Sequence, residues 1–304
     1  MPWADLAAWT AAAPLFAGLV LLRRHWARLP ELEPDPPLPP QPPAVCLCIP
    51  VRNEAAELAA ALDSWLAQDY PALRILVVDD GSTDGSTEIL RQRQAAHPAR
   101  LRVLRNDSLP PGWLGKNHAL DLASRQPEAL ASAWLLFADG DVQASPGLLR
   151  RAMAFARAQP TDILALVPAI DAVGPAERVI LPIAASAFLL MVPPHQVPNP
   201  RHPAFCGVGG FTLVRREAYE AVRGHAGAPL EPAGALGSVR EEAGRVGVLG
   251  AAVDGVLALA FGAGGLRPGI APRVAVPVID VEGDRHEFAP EGGRPFHAGQ
   301  PGFG

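Results

Sequence analysis

Hydrophobic and polar positions divide this chain into a strongly periodic middle and two aperiodic ends. Between residues 44 and 167, short continuous apolar runs alternate with helical stretches. Ala44–Val51 (AVCLCIPV), Leu73–Val78 (LRILVV), Leu101–Leu104, Trp134–Ala138 and Ile163–Val167 read as strands. The first is a continuous apolar run, the pattern of a strand covered on both faces. Ala55–Gln68, Thr87–Ala96, His118–Ser124 and Pro146–Ala158 read as helices, the last with Arg150, Arg151 and Arg157 on its exposed side. Thr212–Val214 reads as one further short strand. The alternation predicts an α/β fold, a mostly parallel, doubly wound sheet with flanking helices. In such sheets ligands bind at the carboxyl ends of the strands.

The ends follow other patterns. Leu6–Leu22 is almost wholly apolar and is followed at once by Arg23, Arg24, His25 and Arg28. At a rise of about 1.5 Å per residue the run reaches about 26 Å, near the lower limit for a membrane span. The expectation is a transmembrane helix at about 6–22 within an uncleaved N-terminal anchor, residues 1–29. The alternative is a buried or interfacial helix. The positive charge after the run would place the rest of the chain on the cytoplasmic side of the membrane. Residues 30–43 hold the pairs Pro36-Pro37, Pro39-Pro40 and Pro42-Pro43, which favour a stiff spacer that stands off the following domain. Val179–Val192 is apolar all round and too short to span, so it is either a core helix or one lying on a bilayer. From 231 to 304, Gly, Ala and Pro dominate, periodicity fades, and the expectation is an atypical, disordered tail after a domain at 44–230.

Composition narrows the possibilities. With 49% hydrophobic residues, the 304-residue chain can bury a sizeable core, and a net charge of -5 without a basic stripe argues against nucleic acid. Cys46, Cys48 and Cys206 form neither a zinc pattern nor a bridge framework and read as reduced thiols.

Acidic residues gather at the predicted strand ends: Glu54, Asp79, Asp80, Asp139 and Asp141. In a strand, residues i and i+2 point the same way, which would aim Asp139 and Asp141 at one spot. Gly140 between them leaves the backbone open. Hard cations such as Mg²⁺ take one or two carboxylates together with substrate phosphates. A metal–diphosphate site is therefore one reading of Asp139-Gly140-Asp141, and a solvated acidic turn is the other.

The segments IPVRNEA (49–55), VVDDGSTDGS (77–86), PPGWLGKNHAL (110–120), FADGDV (137–142) and GVGGFTLVRREAYE (207–220) occur in that order. Together they resemble the family 2 glycosyltransferases, inverting enzymes of the nucleotide-sugar-binding GT-A fold. The loop at 110–120 and the N-terminal run are similar to a membrane-bound bacterial subset associated with hopanoid and carotenoid lipids. The resemblance covers residues 44–225. It implies a UDP-sugar donor, a lipid or membrane-associated acceptor, and Mg²⁺ or Mn²⁺ held by Asp139 and Asp141. Val51, Glu54, Asp79, Asp80, Lys116, Asn117 and Asp139 would line the nucleotide-sugar, with Glu54 and Asp80 on uracil and ribose. Asp84 would order its loop. Gly209 and Gly210 would admit the acceptor, with Phe211 in the core.

The resemblance also exposes a departure. The family places an acidic pair about ten residues after a Gly-His segment, and one of that pair is the general base. Here Gly224-His225 is followed by Ala-Gly-Ala-Pro-Leu-Glu-Pro, without such a pair. Glu231 is the candidate base left nearby, and Glu241 and Glu242 come late. A shifted reading frame near Glu231 would account for the change in character. Two alternatives to a working transferase follow: a nucleotide-sugar-binding protein without turnover, and a nucleotidyltransferase, for which Lys116 is a meagre triphosphate loop.

Overall fold

The computed structural model describes residues 3–159, 161–166, 174–191, 197, 210–227 and 274–275. A helix, α1 (Trp3–Trp26), leads into the alternating core: β1 (Val45–Val51), α2 (Leu58–Leu66), β2 (Leu73–Asp79), α3 (Ser86–Ala96), β3 (Leu101–Arg105), α4 (Gly115–Ser124), α5 (Pro127–Leu130), β4 (Trp134–Phe137), α6 (Leu148–Ala158) and β5 (Ile163–Ala165). Then come α7 (Pro175–Met191), β6 (Thr212–Arg215), α8 (Arg216–Ala221), a 3₁₀ turn at Gly224–Gly227, and β7 (Val274–Ala275). The strand order is β3-β2-β1-β4-β6-β5-β7. β1 pairs in parallel with β2 and β4, and β6 runs antiparallel between β4 and β5. The expected mostly parallel sheet is present, with one reversed strand inside it.

Period-2 alternation in β1 explains the layering. Val45, Leu47, Ile49 and Val51 face a core with Leu58, Leu62 and Trp65 of α2, Leu90 of α3 and Leu148, Leu149 and Met153 of α6. Cys46 and Cys48 face the opposite core, with Ala119, Leu120 and Ala123 of α4, Ala129 of α5 and Tyr219 of α8. Both thiols are free and buried, as expected of core residues, while Cys206 lies outside the described residues. The two-layered cover fixes the sheet so that the ends of β1, β2 and β4 open along one edge.

Two expectations change and one left open is narrowed. Residues 3–26 form a helix, yet among the described residues no helix is long and apolar enough to cross a membrane. The expected transmembrane span is therefore not found there; alanines fill the first half of α1, and Asp5, Thr10 and Pro14 interrupt it. The proline-rich segment does not stand off the domain. Tyr70 donates its hydroxyl to the Pro43 carbonyl at 2.8 Å, and Arg150 pairs with Asp35 and donates to the Pro36 carbonyl. Leu32 packs against the core. A cavity of about 360 Å³ remains between these prolines, Tyr70 and α6. Prolines make the segment stiff, but a stiff extended chain with apolar rings still lies down on an apolar groove when polar anchors flank it. Finally, α7 is not a core helix: Val179, Ile180, Ile183, Phe188 and Leu190 are all exposed.

Candidate active site

The first two strand-end loops are clamped to one another. Three successive backbone amides of the loop after β1 donate into the loop after β2: Asn53 N–H to Ser82 Oγ at 3.1 Å, Glu54 N–H to Ser86 Oγ at 3.0 Å, and Ala55 N–H to Asp84 Oδ2 at 3.1 Å. Asn53 returns the contact by accepting the Thr83 amide at 2.8 Å on its Oδ1. Asn53 holds a left-handed backbone, φ 57°, which Asn tolerates better than most residues. Ser82, Asp84 and Ser86 thus each accept one of three consecutive amides. Asp84 orders its loop, as expected. Ser82 and Ser86 were not singled out from the sequence, although small hydroxyls at alternate positions beside a strand end were the available signal.

Asp79 and Asp80 are adjacent and take different tasks. Asp79 is 1% exposed and accepts from the Ser82 amide at 2.8 Å and the Thr87 hydroxyl at 2.7 Å, with Arg105 at 3.0 Å. Burial alone would raise its pKa, but these hydrogen bonds and Arg105 outweigh it and hold the carboxyl below its ordinary range. Asp79 is thus turned into the fold and is fully engaged there, rather than lining a ligand as the sequence suggested. Asp80 is half-buried at the mouth. Asn106 donates to its Oδ1 at 2.6 Å, and Arg52 stands 3.8 Å from Oδ2. Asn106 also lies 3.2 Å from His118 Nδ1, and the Trp113 ring meets His118 edge-on at 5.4 Å. Gly115 admits this carboxylate, because a Cβ there would overlap Asp80 Oδ2. Asn106, His118 and Trp113 were not anticipated; a lone Asn at a strand end gave the sequence reading little to act on.

The second cluster joins β1 to β4. Because β4 ends at Phe137, Asp139 and Asp141 sit on a turn, with Val142 N–H donating to the Asp139 carbonyl at 3.3 Å. Strand alternation therefore does not aim them; the turn does, and α2 fixes the turn. Trp65 donates its indole N–H to the Val142 carbonyl at 2.9 Å, Ser64 Oγ accepts from the Ala144 amide at 2.9 Å, and Gln68 Oε1 accepts from the Leu149 amide at 3.0 Å. Glu54 reaches across beneath the turn. A Cβ on Gly140 would overlap Glu54 Oε2 and lie 2.9 Å from its Cδ, so only glycine admits that approach. The Oε2 is buried and has no hydrogen-bond partner among the described residues. Burial first, then the charges of Asp141 and Asp139, push the Glu54 carboxyl up to about 7, against a lowering pull from Lys116. Lys116 Nζ lies 2.6 Å from Asp139 Oδ1. Val51, the last residue of β1, is buried beside Gly140. Asn117 is buried in the first turn of α4, with its Nδ2 unbonded among the described residues.

A cation suits this chemistry. Three carboxyls crowd one opening, and the Lys116 ammonium reaches into it. Among the described residues no group of three His, Cys, Asp or Glu is arranged as a metal cage. Two carboxylates completed by substrate phosphates is the arrangement Mg²⁺ commonly takes, and Asp139 with Asp141 supplies that much. Of the acceptor-side residues, Gly210 is buried just before β6 and Phe211 is core, stacked on Trp65 at 6.2 Å. Gly209 and Glu231 lie outside the described residues, as do Glu241 and Glu242.

Residues 46–223, more than half of the chain, match Glycosyl transferase family 2. The chain belongs to that family. Its family 2 domain is similar to glycosyltransferase AglE of Haloferax volcanii, 32% identical over 124 residues, 40% of this chain and 38% of that protein. It is also similar to beta-monoglucosyldiacylglycerol synthase of Synechocystis sp., 33% identical over 117 residues, 37% of this chain and 23% of that protein. The matched segments thus span well under half the length of these curated relatives. Among solved structures, the mannosyltransferase PcManGT from Pyrobaculum calidifontis, in complex with GDP-Man and Mn²⁺, superposes with a TM-score of 0.52. It covers 72% of this chain and 58% of its own at 24% identity, a likeness of fold. The GT-A-like architecture of the family 2 domain is in keeping with the strand-end placement of Asp80, Glu54, Asp139 and Asp141.

Proposed function

We propose that this protein transfers a sugar from a UDP-sugar to a hydroxyl of a lipid or membrane-associated acceptor, with inversion. The observation behind the reading is the Glu54–Asp139–Asp141–Lys116 cluster at the ends of β1 and β4, beside Asp80. Asp80, with Asn106 behind it, would receive the base and ribose. Asp139 and Asp141 would hold Mg²⁺ or Mn²⁺, whose charge neutralises the diphosphate and stabilises its departure. Lys116 would pivot from Asp139 to a phosphate oxygen. The acceptor oxygen attacks the anomeric carbon, the bond to the diphosphate breaks with its electron pair leaving on UDP, and the acceptor proton passes to a base. Glu231 is the candidate base. The relative whose name refers to a glycosylated diacylglycerol, and the apolar N-terminal run, favour a lipid acceptor and a place at the cytoplasmic face of the inner membrane.

Titration of UDP into the protein with and without Mn²⁺ tests this reading. Asp141→Asn should weaken the Mn²⁺-dependent affinity by about tenfold or more, the scale of a charged contact. Unchanged affinity would remove the metal–diphosphate site. A second reading, donor binding without turnover, is favoured by the missing acidic pair after Gly224-His225. Normal UDP-sugar binding with no transfer to a membrane lipid extract would establish it.

A further inference from the structure

Among the described residues, ten of the fourteen exposed large apolar side chains stand on two helices, α1 and α7, which pack against one another. On α1 these are Phe16 (69% exposed), Leu19, Val20, Leu21 and Trp26; on α7 they are Val179, Ile180, Ile183, Phe188 and Leu190. At about 100° per residue, each set fans over roughly half of its helix's circumference rather than forming one stripe. A rigid protein partner covers a stripe. Fluid hydrocarbon covers whatever apolar surface is left, including both outer sides of a helix pair. Arg23, Arg24 and Arg28 are exposed at the end of α1, so the apolar surface ends in positive charge, complementary to anionic headgroups.

We propose that α1 and α7 together form a platform that sinks into the surface of an anionic phospholipid bilayer. The apolar side chains enter the acyl boundary, and Arg23, Arg24 and Arg28 meet the lipid phosphates. α7 lies along the surface: its apolar stretch begins after Glu177-Arg178, contains Pro182, and at about 1.5 Å per residue is too short to span. This deepens the proposed function, on which it rests only for its consequence. A docked domain would present its donor site to acceptors that never leave the membrane.

The test is flotation of the full chain with phosphatidylcholine vesicles, with and without phosphatidylglycerol, and without any nucleotide-sugar. Binding to the anionic vesicles is expected, declining with salt. Arg23→Gln with Arg24→Gln should lower partitioning by about fivefold for each arginine removed. Ile180→Glu with Ile183→Glu should abolish it. These α7 positions are exposed, so circular dichroism and UDP affinity should stay as in the parent. Absence of flotation with either vesicle would overturn the proposal. So would self-association that Ile183→Glu breaks while vesicle binding is absent, since the surface would then meet a second copy. Failure of UDP binding with intact flotation would count against the donor site and leave the platform standing.

Discussion

Lys116 Nζ lies 2.6 Å from Asp139 Oδ1, an ion pair bridging the first turn of α4 and the turn after β4. Each partner is more than a third exposed, 37% and 35%, so water screens the pair and it adds little to folding stability, at most about 1 kcal/mol. Its value lies in holding an ammonium at the mouth of an acidic pocket. Lys116→Met should accordingly leave the melting temperature nearly unchanged and weaken UDP-sugar affinity by about tenfold or more. Thermal melts and calorimetry on the same preparation check this. Lowered stability with normal affinity would make the lysine a structural strut.

Gly140 and Glu54 form a steric lock. Gly140→Ala places a methyl group where the Glu54 carboxylate lies, with Val51 Cγ2 only 3.2 Å away on another side. The carboxylate must move, at a cost of about 1–3 kcal/mol. Pairing the change with Glu54→Ala should recover much of that stability, because the clash is gone. The coupling is read from urea melts of the two single variants and the double variant. Simple additivity would show that Glu54 does not occupy the glycine's open side in solution.

Trp65 ties the Asp139–Asp141 turn to the core through its indole N–H on the Val142 carbonyl, 2.9 Å. Trp65→Phe keeps an aromatic ring in the core and strands that carbonyl. A loss of about 1–3 kcal/mol in stability is expected, with a larger effect on Mn²⁺-dependent UDP binding than on UDP binding without metal. Equal loss in both would show that the bond does not organise the Asp139–Asp141 turn.

His225 supplies a pH dependence. It is buried, its Nδ1 is 2.7 Å from the Tyr219 hydroxyl, and its ring meets Phe137 edge-on at 4.9 Å. Burial, helped by the Lys116 charge, depresses it from 6.5 to about 3, so the folded protein keeps it neutral. Between those values the unfolded chain binds a proton that the native state refuses. Stability therefore falls as pH drops through this window, with a contribution approaching about 1.4 kcal/mol per pH unit. His225→Gln should flatten the slope of urea-melt stability between pH 5 and 6.5, and an unaltered slope would refute the assignment.

The tail is tested at the level of the gene and of turnover. If a shifted frame replaced it, the coding DNA read in another frame after Glu231 should encode an acidic pair about ten residues beyond Gly224-His225. Without such a segment, the present tail is the protein's own. Transfer by the 304-residue chain that is lost in Glu231→Gln, by about 10²–10⁴-fold, would establish Glu231 as the base.

Local pattern sufficed for much of this protein. Continuous apolar runs and helical periodicity determined the strands, the helices and the mostly parallel sheet, because buried faces impose their period on the residues that fill them. The same pattern set Glu54, Asp80 and Asp139 at strand ends, and the ordered motifs marked the family. Tertiary contact decided what period alone leaves open. Asp79 and Asp80 are neighbours of one chemistry, and only the arrival of Ser82, Thr87 and Arg105 on one and Asn106 on the other separates a fully buried loop anchor from a partly exposed carboxylate. Asp139 and Asp141 converge through a turn held by α2, more than seventy residues earlier in the chain. The proline-rich segment and α7 were each readable as stiff or apolar, but where a stiff or apolar segment lies depends on the surface it meets. For the prolines that surface is Tyr70 and Arg150, far along the chain, and for α7 it is α1.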